Sequence, residues 1–87
     1  MLLAIDIGNT DIVFGVNNDQ QWIHQFRISS SFSQRSQDYE AQLRLLFLEN
    51  SLKLSDIHQI IVSCVVPDLR AVIKDMSVTM FGIQPMM

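Results

Sequence analysis

The segment MLLAIDIGNTDIVFGV (residues 1–16) contains the pattern that decides the fold. Its first part, Leu2 to Ile5, is a short apolar run typical of a strand buried on both faces. In its last part, residues 12–16, the larger apolar side chains stand at every second position, which is the period of a second strand. The turn-prone pair Gly8-Asn9 lies between the two runs. The segment therefore predicts a β-hairpin at the start of the chain.

Further strands follow the hairpin. Asn17-Asn18-Asp19 has the side chains of a tight turn, and the alternation from Trp22 to Ile28 predicts a third strand. Three strands joined by two tight turns form an antiparallel meander. A β-branched apolar run at residues 57–66 predicts a fourth, buried strand, and residues 84–87 are a candidate start of a fifth.

Two helices separate these strands. After a serine-rich link with Phe32 as its apolar anchor, Ser36 is the expected N-cap of the first helix. Its apolar stripe begins at Tyr39, and Leu45 and Leu48 widen the stripe, which predicts a helix covered on more than one side. The second helix is expected from Pro67, which suits a first helical position, to Gly82, a natural stop.

The order βββαβα, with a further strand as an option, predicts an α/β fold with helices packed on a mixed sheet. This arrangement is typical of one lobe of the actin-like ATPase (ribonuclease H-like) fold, which sugar kinases, heat-shock ATPases and actin share. Many other α/β folds begin with a similar order, so the order alone does not select among them.

Composition and charge exclude several classes of protein. The net charge is −3 and the six basic residues are scattered, so nothing favours binding to nucleic acid or to an anionic membrane. The single cysteine, Cys64, excludes an internal disulfide and suits a reducing compartment. No basic residue precedes the first apolar run, and Asp6 interrupts it, so it is neither a signal peptide nor a membrane anchor. We therefore expect a soluble, cytoplasmic protein.

The proportion of apolar residues is high for so short a chain. Hydrophobic residues make up 48% of the 87 positions and charged residues only 17%. One interpretation is apolar surface intended for a missing partner or segment, and the other is an ordinary compact core.

The motif Asp6-Ile7-Gly8-Asn9-Thr10 points to chemistry. Gly8 allows the backbone to approach an anion closely, N–H groups of a tight turn form a concave anion site, and Asn9 and Thr10 add side-chain donors. Asp6 repels a phosphate, so it requires an intermediary, and Mg²⁺ with its waters is the usual one. The motif therefore predicts an ATP phosphate-binding site made of Asp6, Gly8, Asn9 and Thr10. The structural alternative is a hairpin turn that Asp6 merely caps.

Several stretches together resemble the type III pantothenate kinases. Residues 1–10 and 12–16 resemble the opening of that family, and residues 26–29 (FRIS) resemble its third strand. Residues 37–40 match the acidic start of its first helix, and residues 63–67 (SCVVP) resemble its Ser-Ser-Val-Val-Pro stretch. The resemblance spans essentially all 87 residues, with a spacing specific to this family among actin-like kinases.

This resemblance implies an enzyme that transfers the γ-phosphoryl group of ATP to pantothenate, giving 4'-phosphopantothenate in the first step of coenzyme A biosynthesis. It implies that Asp6 positions a magnesium–phosphate assembly and that Gly8, Asn9 and Thr10 contact phosphates. It also implies ATP, Mg²⁺ and a monovalent cation (K⁺ or NH₄⁺) as cofactors and a homodimer at full length. Residues 1–87 would then be the N-terminal lobe, inactive alone, with the catalytic base and the pantothenate contacts beyond Met87.

Some residues leave the interpretation open. Asp11 stands where the family commonly has asparagine; pointing inward it would weaken ATP binding, and pointing outward it would be harmless. His24, His58 and Cys64 are expected to be structural. Arg27 is ambiguous: an ordinary exposed strand residue would need no explanation, and it is not among the predicted site residues. Two alternatives to a kinase remain: a non-catalytic truncated remnant, and an actin-like regulatory or assembly protein that binds nucleotide without kinase activity.

Overall fold

A computed structural model of the chain describes residues 1–30 and 35–87. The predicted order βββαβα is confirmed, with one short 3₁₀ turn at Leu54–Asp56 before the fourth strand. The expected Phe32 anchor lies outside the described residues. The elements are β1 (Leu2–Ile7), β2 (Asp11–Asn17), β3 (Trp22–Ser29), α1 (Ser36–Glu49), β4 (Gln59–Cys64) and α2 (Pro67–Phe81).

The four strands form one mixed sheet in the order β3-β2-β1-β4. β1 pairs antiparallel with β2 and parallel with β4, and β2 pairs antiparallel with β3. The carboxyl ends of β1, β3 and β4 therefore lie together, at what we call the carboxyl end of the sheet. Met86 forms a single parallel bridge to Ile61. Its N–H donates to the Ile60 carbonyl at 2.9 Å and its carbonyl accepts from the Val62 N–H at 2.8 Å, so the chain pairs with β4 within residues 84–87, where a fifth strand was expected to start.

Both helices pack on the same face of the sheet. Alternate strand residues, such as Leu3, Ile5 and Phe14, join the apolar stripes of the two helices in a single buried cluster. The residues between them point to the opposite face, which no helix within residues 1–30 and 35–87 covers. We call this second surface the open face. It includes Ala4, Asp6, Asp11, Val13, Gly15, Gln25, Arg27, Ile61 and Ser63.

Two expectations for α1 are wrong. Ser36 is its first helical residue and Arg35 is the N-cap, whose backbone N–H donates to the Asp38 carboxylate at 2.7 Å. This bond satisfies a backbone donor that a helix start otherwise leaves free. Leu45 and Leu48 are 55% and 75% exposed, so α1 is covered on one side only. Its buried stripe is Tyr39, Leu43 and Phe47.

The second helix follows the sequence prediction closely. Pro67 is its first residue, and Gly82 ends it in a left-handed conformation with φ of 67°. Met76 and Met80 are buried against the sheet, as their helical spacing predicts. Neither α1 nor α2, the two α-helices in the described part of the chain, is long and apolar enough to cross a membrane.

We expect the 87-residue chain to self-associate as its concentration rises, because the open face leaves apolar side chains in water. Trp22 is 59% and Ile61 38% exposed there. Ile61→Thr should shift the sedimentation-velocity distribution toward monomer, since it makes this face more polar while keeping a β-branched strand residue. Leu48→Gln on the outer surface of α1 is the matched control and should not shift it. A compact monomer for the unmodified chain over a wide concentration range would contradict the prediction.

Candidate functional site

The turn between β1 and β2 lies at the carboxyl end of the sheet. The Gly8 N–H donates to the Asp11 carbonyl oxygen at 2.8 Å and closes the turn. A Cβ atom at Gly8 would stand 3.3 Å from that same oxygen, closer than an ordinary van der Waals contact. The absence of a side chain at Gly8 therefore allows the two ends of the turn to approach each other.

Ser30, directly after β3, holds this turn from the side. Its N–H donates to the Thr10 carbonyl at 2.9 Å. Its hydroxyl lies 3.2 Å from the Asn9 carbonyl and 3.3 Å from the Gly8 carbonyl, and its single proton is shared between these acceptors. No sequence motif marks Ser30 as part of this turn. The register of β2 and β3 places Ser29 opposite Asp11, and the next residue, Ser30, therefore lies beside the turn.

The turn leaves two backbone donors free. Among residues 1–30 and 35–87 no acceptor pairs with the N–H of Asn9 or of Thr10, and both residues are exposed. The N–H and hydroxyl of Ser30 contact the carbonyl groups of Gly8, Asn9 and Thr10. The backbone groups of the turn that have no partner among the described residues are therefore N–H donors. Free N–H groups in a tight turn favour a bound anion. Gly8, Asn9 and Thr10 lie in this one turn, and their contacts with phosphate stay a prediction.

Asp6 lies on the open face, one strand residue before the turn. It is exposed and stands opposite Val13 of β2 and Ser63 of β4. No group in the described part of the chain donates a hydrogen bond to its carboxylate or forms a salt bridge with it. The alternative in which Asp6 caps the turn therefore has no supporting contact.

The surroundings of Asp6 fit only one kind of metal site. No three histidine, cysteine, aspartate or glutamate side chains gather to hold an ion within the described ranges. Mg²⁺ is commonly held by one or two carboxylates together with substrate phosphates and water. The Asp6 carboxylate, which has no partner in the described part of the chain, fits that donor set, and a site made of protein ligands alone does not.

Asp11 and Arg27 form an ion pair on the open face. Arg27 Nη1 lies 2.7 Å from Asp11 Oδ2, and the two side chains are 61% and 32% exposed. The negative charge at Asp11 is therefore paired rather than left beside the turn. Arg27, which the sequence leaves ambiguous, has a specific partner.

His24, His58 and Cys64, which were expected to be structural, each contact a neighbouring group. The His24 ring stacks on Phe26 with centroids 5.8 Å apart. His58 Nδ1 lies 3.1 Å from the N-terminal ammonium group. The Cys64 thiol donates to the Val66 carbonyl at 3.0 Å as the chain enters α2.

A shallow cavity of about 520 Å³ lies on the open face. It is mostly apolar, and the Trp22 ring borders it above Gly15, where an added Cβ would come within 3.0 Å of the indole. Asp6 and Ser63 line its end toward the turn, but Gly8, Asn9 and Thr10 do not line it. The cavity therefore adjoins the turn at residues 8–11 without containing it.

Comparison with known proteins identifies relatives over the whole chain. Residues 2–87 match a family model described as type III pantothenate kinase. A type III pantothenate kinase from Syntrophobacter fumaroxidans is 38% identical over 85 residues, covering 98% of this chain and 33% of that protein. One from Geobacter sulfurreducens is 35% identical over 86 residues, covering 99% of this chain and 34% of that protein. The chain thus spans about a third of the length of these relatives.

A solved structure shows the fold. The crystal structure of a protein from Porphyromonas gingivalis, provisionally assigned as an N-acetylglucosamine kinase, superimposes with a TM-score of 0.66. The match covers 94% of this chain and 31% of the other at 18% sequence identity. An identity this low supports the fold alone, and it confirms the predicted lobe of the actin-like ATPase fold.

Ser30→Ala should destabilise the turn, because it removes the hydroxyl that serves two turn carbonyls. We expect the free energy of unfolding to fall by about 1 kcal/mol, the usual net value of one such hydrogen bond. Urea titration followed by circular dichroism measures the change. Ser63→Ala, an exposed serine on the open face, is the matched control and should leave the midpoint unchanged. Equal midpoints for Ser30→Ala and the unmodified chain would show that Ser30 does not hold the turn.

Proposed function

We propose that this chain, which belongs to the type III pantothenate kinase family, supplies the phosphate-binding lobe of an enzyme that phosphorylates pantothenate with ATP. The observation that carries the proposal is the turn at residues 8–11, where the N–H groups of Asn9 and Thr10 and the nearby Asp6 carboxylate have no partner among residues 1–30 and 35–87. This turn lies inside the segment that matches the family. The product would be 4'-phosphopantothenate, the first intermediate on the route to coenzyme A.

The residues of the turn would act by binding and orienting the phosphates. The N–H groups of Asn9 and Thr10 and their side chains donate to phosphate oxygens, and Gly8 keeps the backbone close enough for them to do so. Phosphoryl transfer depends mainly on position and on charge neutralisation, which such donors provide without a covalent step. Ser30 supports this task by holding the turn carbonyls away from the anion.

Asp6 would hold Mg²⁺ together with the phosphates and water. When bound, the ion neutralises charge on the phosphate oxygens. The carboxylate of Asp6 is available for this because it is exposed and has no partner among the described residues. Its position on β1, a central strand, fixes the distance between the carboxylate and the turn.

The remaining parts of the reaction are proposed to come from outside residues 1–87, because the relatives are about three times as long. These parts are the catalytic base, the pantothenate contacts and the site of the monovalent cation. Homodimer formation at full length and a cytoplasmic location also stay predictions.

The nucleotide sequence after the codon for Met87 tests the choice between a kinase lobe and a remnant. The resemblance to the family implies a Gly-x-Asp-Arg segment and a second glycine-rich phosphate loop after Met87, so a continuation that encodes both would support the kinase. An immediate stop codon would support the non-catalytic remnant, and a continuation without those motifs would support a regulatory or assembly protein.

We expect the purified 87-residue chain to show no pantothenate-dependent consumption of ATP, because it would lack the acceptor site and the base. A coupled assay for ADP measures this, with the full-length Geobacter sulfurreducens relative as the positive control. Turnover above the no-enzyme background would contradict the proposed division of the site.

Asp6→Asn in a full-length enzyme carrying this segment should reduce kcat by roughly two to three orders of magnitude, which corresponds to about 3–4 kcal/mol of transition-state stabilisation. The melting temperature should hardly change, because the carboxylate is exposed and has no partner within residues 1–30 and 35–87. Asp19→Asn, in the β2–β3 turn at the opposite end of the sheet, is the matched control for activity. Near-normal turnover with a sharply lower melting temperature would mean that Asp6 is a structural turn residue.

A further inference from the structure

Arg27 lies in the same row of the open face as Asp6. Val13 of β2 stands opposite Asp6 on one side and opposite Arg27 on the other. Directly paired residues project from the same face of a sheet, and neighbouring strands are about 4.8 Å apart. The Cα atom of Arg27 is therefore about 10 Å from that of Asp6, within the span of a bound polyphosphate and a long arginine side chain.

We propose that Arg27 is a further phosphate-binding residue of this site, and that Asp11 holds its guanidinium group until a phosphate replaces the carboxylate. The inference rests on the proposed function, because it assumes that the turn at residues 8–11 binds the phosphates. The inference adds a positively charged side chain, which the motif at residues 6–10 does not contain.

The electrostatics of the site require such a cation. The turn offers neutral N–H donors, and both Asp6 and Asp11 place a negative charge on the face that would receive a polyphosphate. Magnesium offsets part of this repulsion, but the second carboxylate adds to it. Arg27 is the basic residue in the row of Asp6, and its fixed positive charge offsets Asp11.

The geometry of the ion pair leaves Arg27 able to take a second partner. Only Nη1 of the guanidinium group contacts Asp11 in the described structure, so the other N–H donors of its five are available. The side chain is 61% exposed. Guanidinium groups form charge-assisted hydrogen bonds with phosphate as well as with carboxylate, so a phosphate can take the place of the Asp11 carboxylate.

The position of Asp11 directs the guanidinium group toward the turn. Asp11 is the residue whose carbonyl accepts from Gly8, and it lies diagonally across from Arg27, two residues closer to the turn than Val13. The contact thus holds the positive end of Arg27 on the turn side of its own backbone. An exposed pair of this kind contributes little to stability, so its variants should fold normally.

Isothermal titration calorimetry of the 87-residue chain with inorganic tripolyphosphate, in buffer containing magnesium, tests the proposal. Arg27→Gln should weaken binding about tenfold, the effect of losing one hydrogen-bonded charge contact. Arg27→Lys, which keeps the charge but loses the fork, should lie between Arg27→Gln and the unmodified chain. Asp11→Asn should tighten binding, because it removes the competing carboxylate, and the gain should be smaller when Arg27 is also replaced by Gln.

Arg44→Gln is the matched control. Arg44 pairs with Glu40 at 2.8 Å on α1, which packs against the other face of the sheet, and its loss changes the net charge by the same amount. Affinity for tripolyphosphate should therefore be unchanged in Arg44→Gln. If Arg27→Gln and Arg44→Gln both bind tripolyphosphate as tightly as the unmodified chain, Arg27 is not a phosphate ligand. That result would leave the proposed phosphate site at residues 8–11 unaffected. If the unmodified chain does not bind tripolyphosphate at all, both the inference and the phosphate site are overturned.

Discussion

The arrangement of the site depends on the pairing of β1 with two different neighbours. β1 is antiparallel to β2, and this pairing makes the tight turn at residues 8–11. It is parallel to β4, and this pairing brings the start of α2 to the same end of the sheet. The Val65 N–H donates to the Ile7 carbonyl at 3.1 Å, so the contact between the two chain segments continues up to the turn. A sheet with only one kind of pairing would not place a hairpin turn beside the start of a crossover helix.

The elements of the fold could be predicted from the sequence because each depends on local patterns. The alternation in β2 and the apolar run in β1 define strands whatever they pair with, and Gly82 ends α2 through its own backbone conformation. The turn between β1 and β2 could also be predicted, because Gly8, Asn9 and Thr10 are adjacent in the chain, whereas their binding of phosphate stays a prediction. The mixed sheet followed from the order of elements once the crossovers were counted.

What the sequence did not predict depends on contacts between distant residues. Ser30 reaches the turn only because β3 pairs with β2 in one register, and the Asp11–Arg27 pair depends on that same register. A shift of one residue would turn Arg27 to the helix-covered face. The N-cap of α1 was placed one residue late because serine is the commoner cap, whereas here the Asp38 carboxylate satisfies the backbone donor of Arg35. The exposure of Leu48 follows from how α1 lies on the sheet, which helical spacing does not determine.

The contact between Trp22 and Gly15 has a spectroscopic consequence. Trp22 is the only tryptophan of the chain, it is 59% exposed, and it borders the open face. An indole in water emits at longer wavelength than one in an apolar contact, so the emission maximum of this chain reports whether the open face is covered. Gly15 lies beneath the ring, and because it has no side chain the indole can pack directly on the sheet. A side chain at Gly15 would meet the ring. The fluorescence of Trp22 can therefore detect any molecule that covers the open face, without an added label.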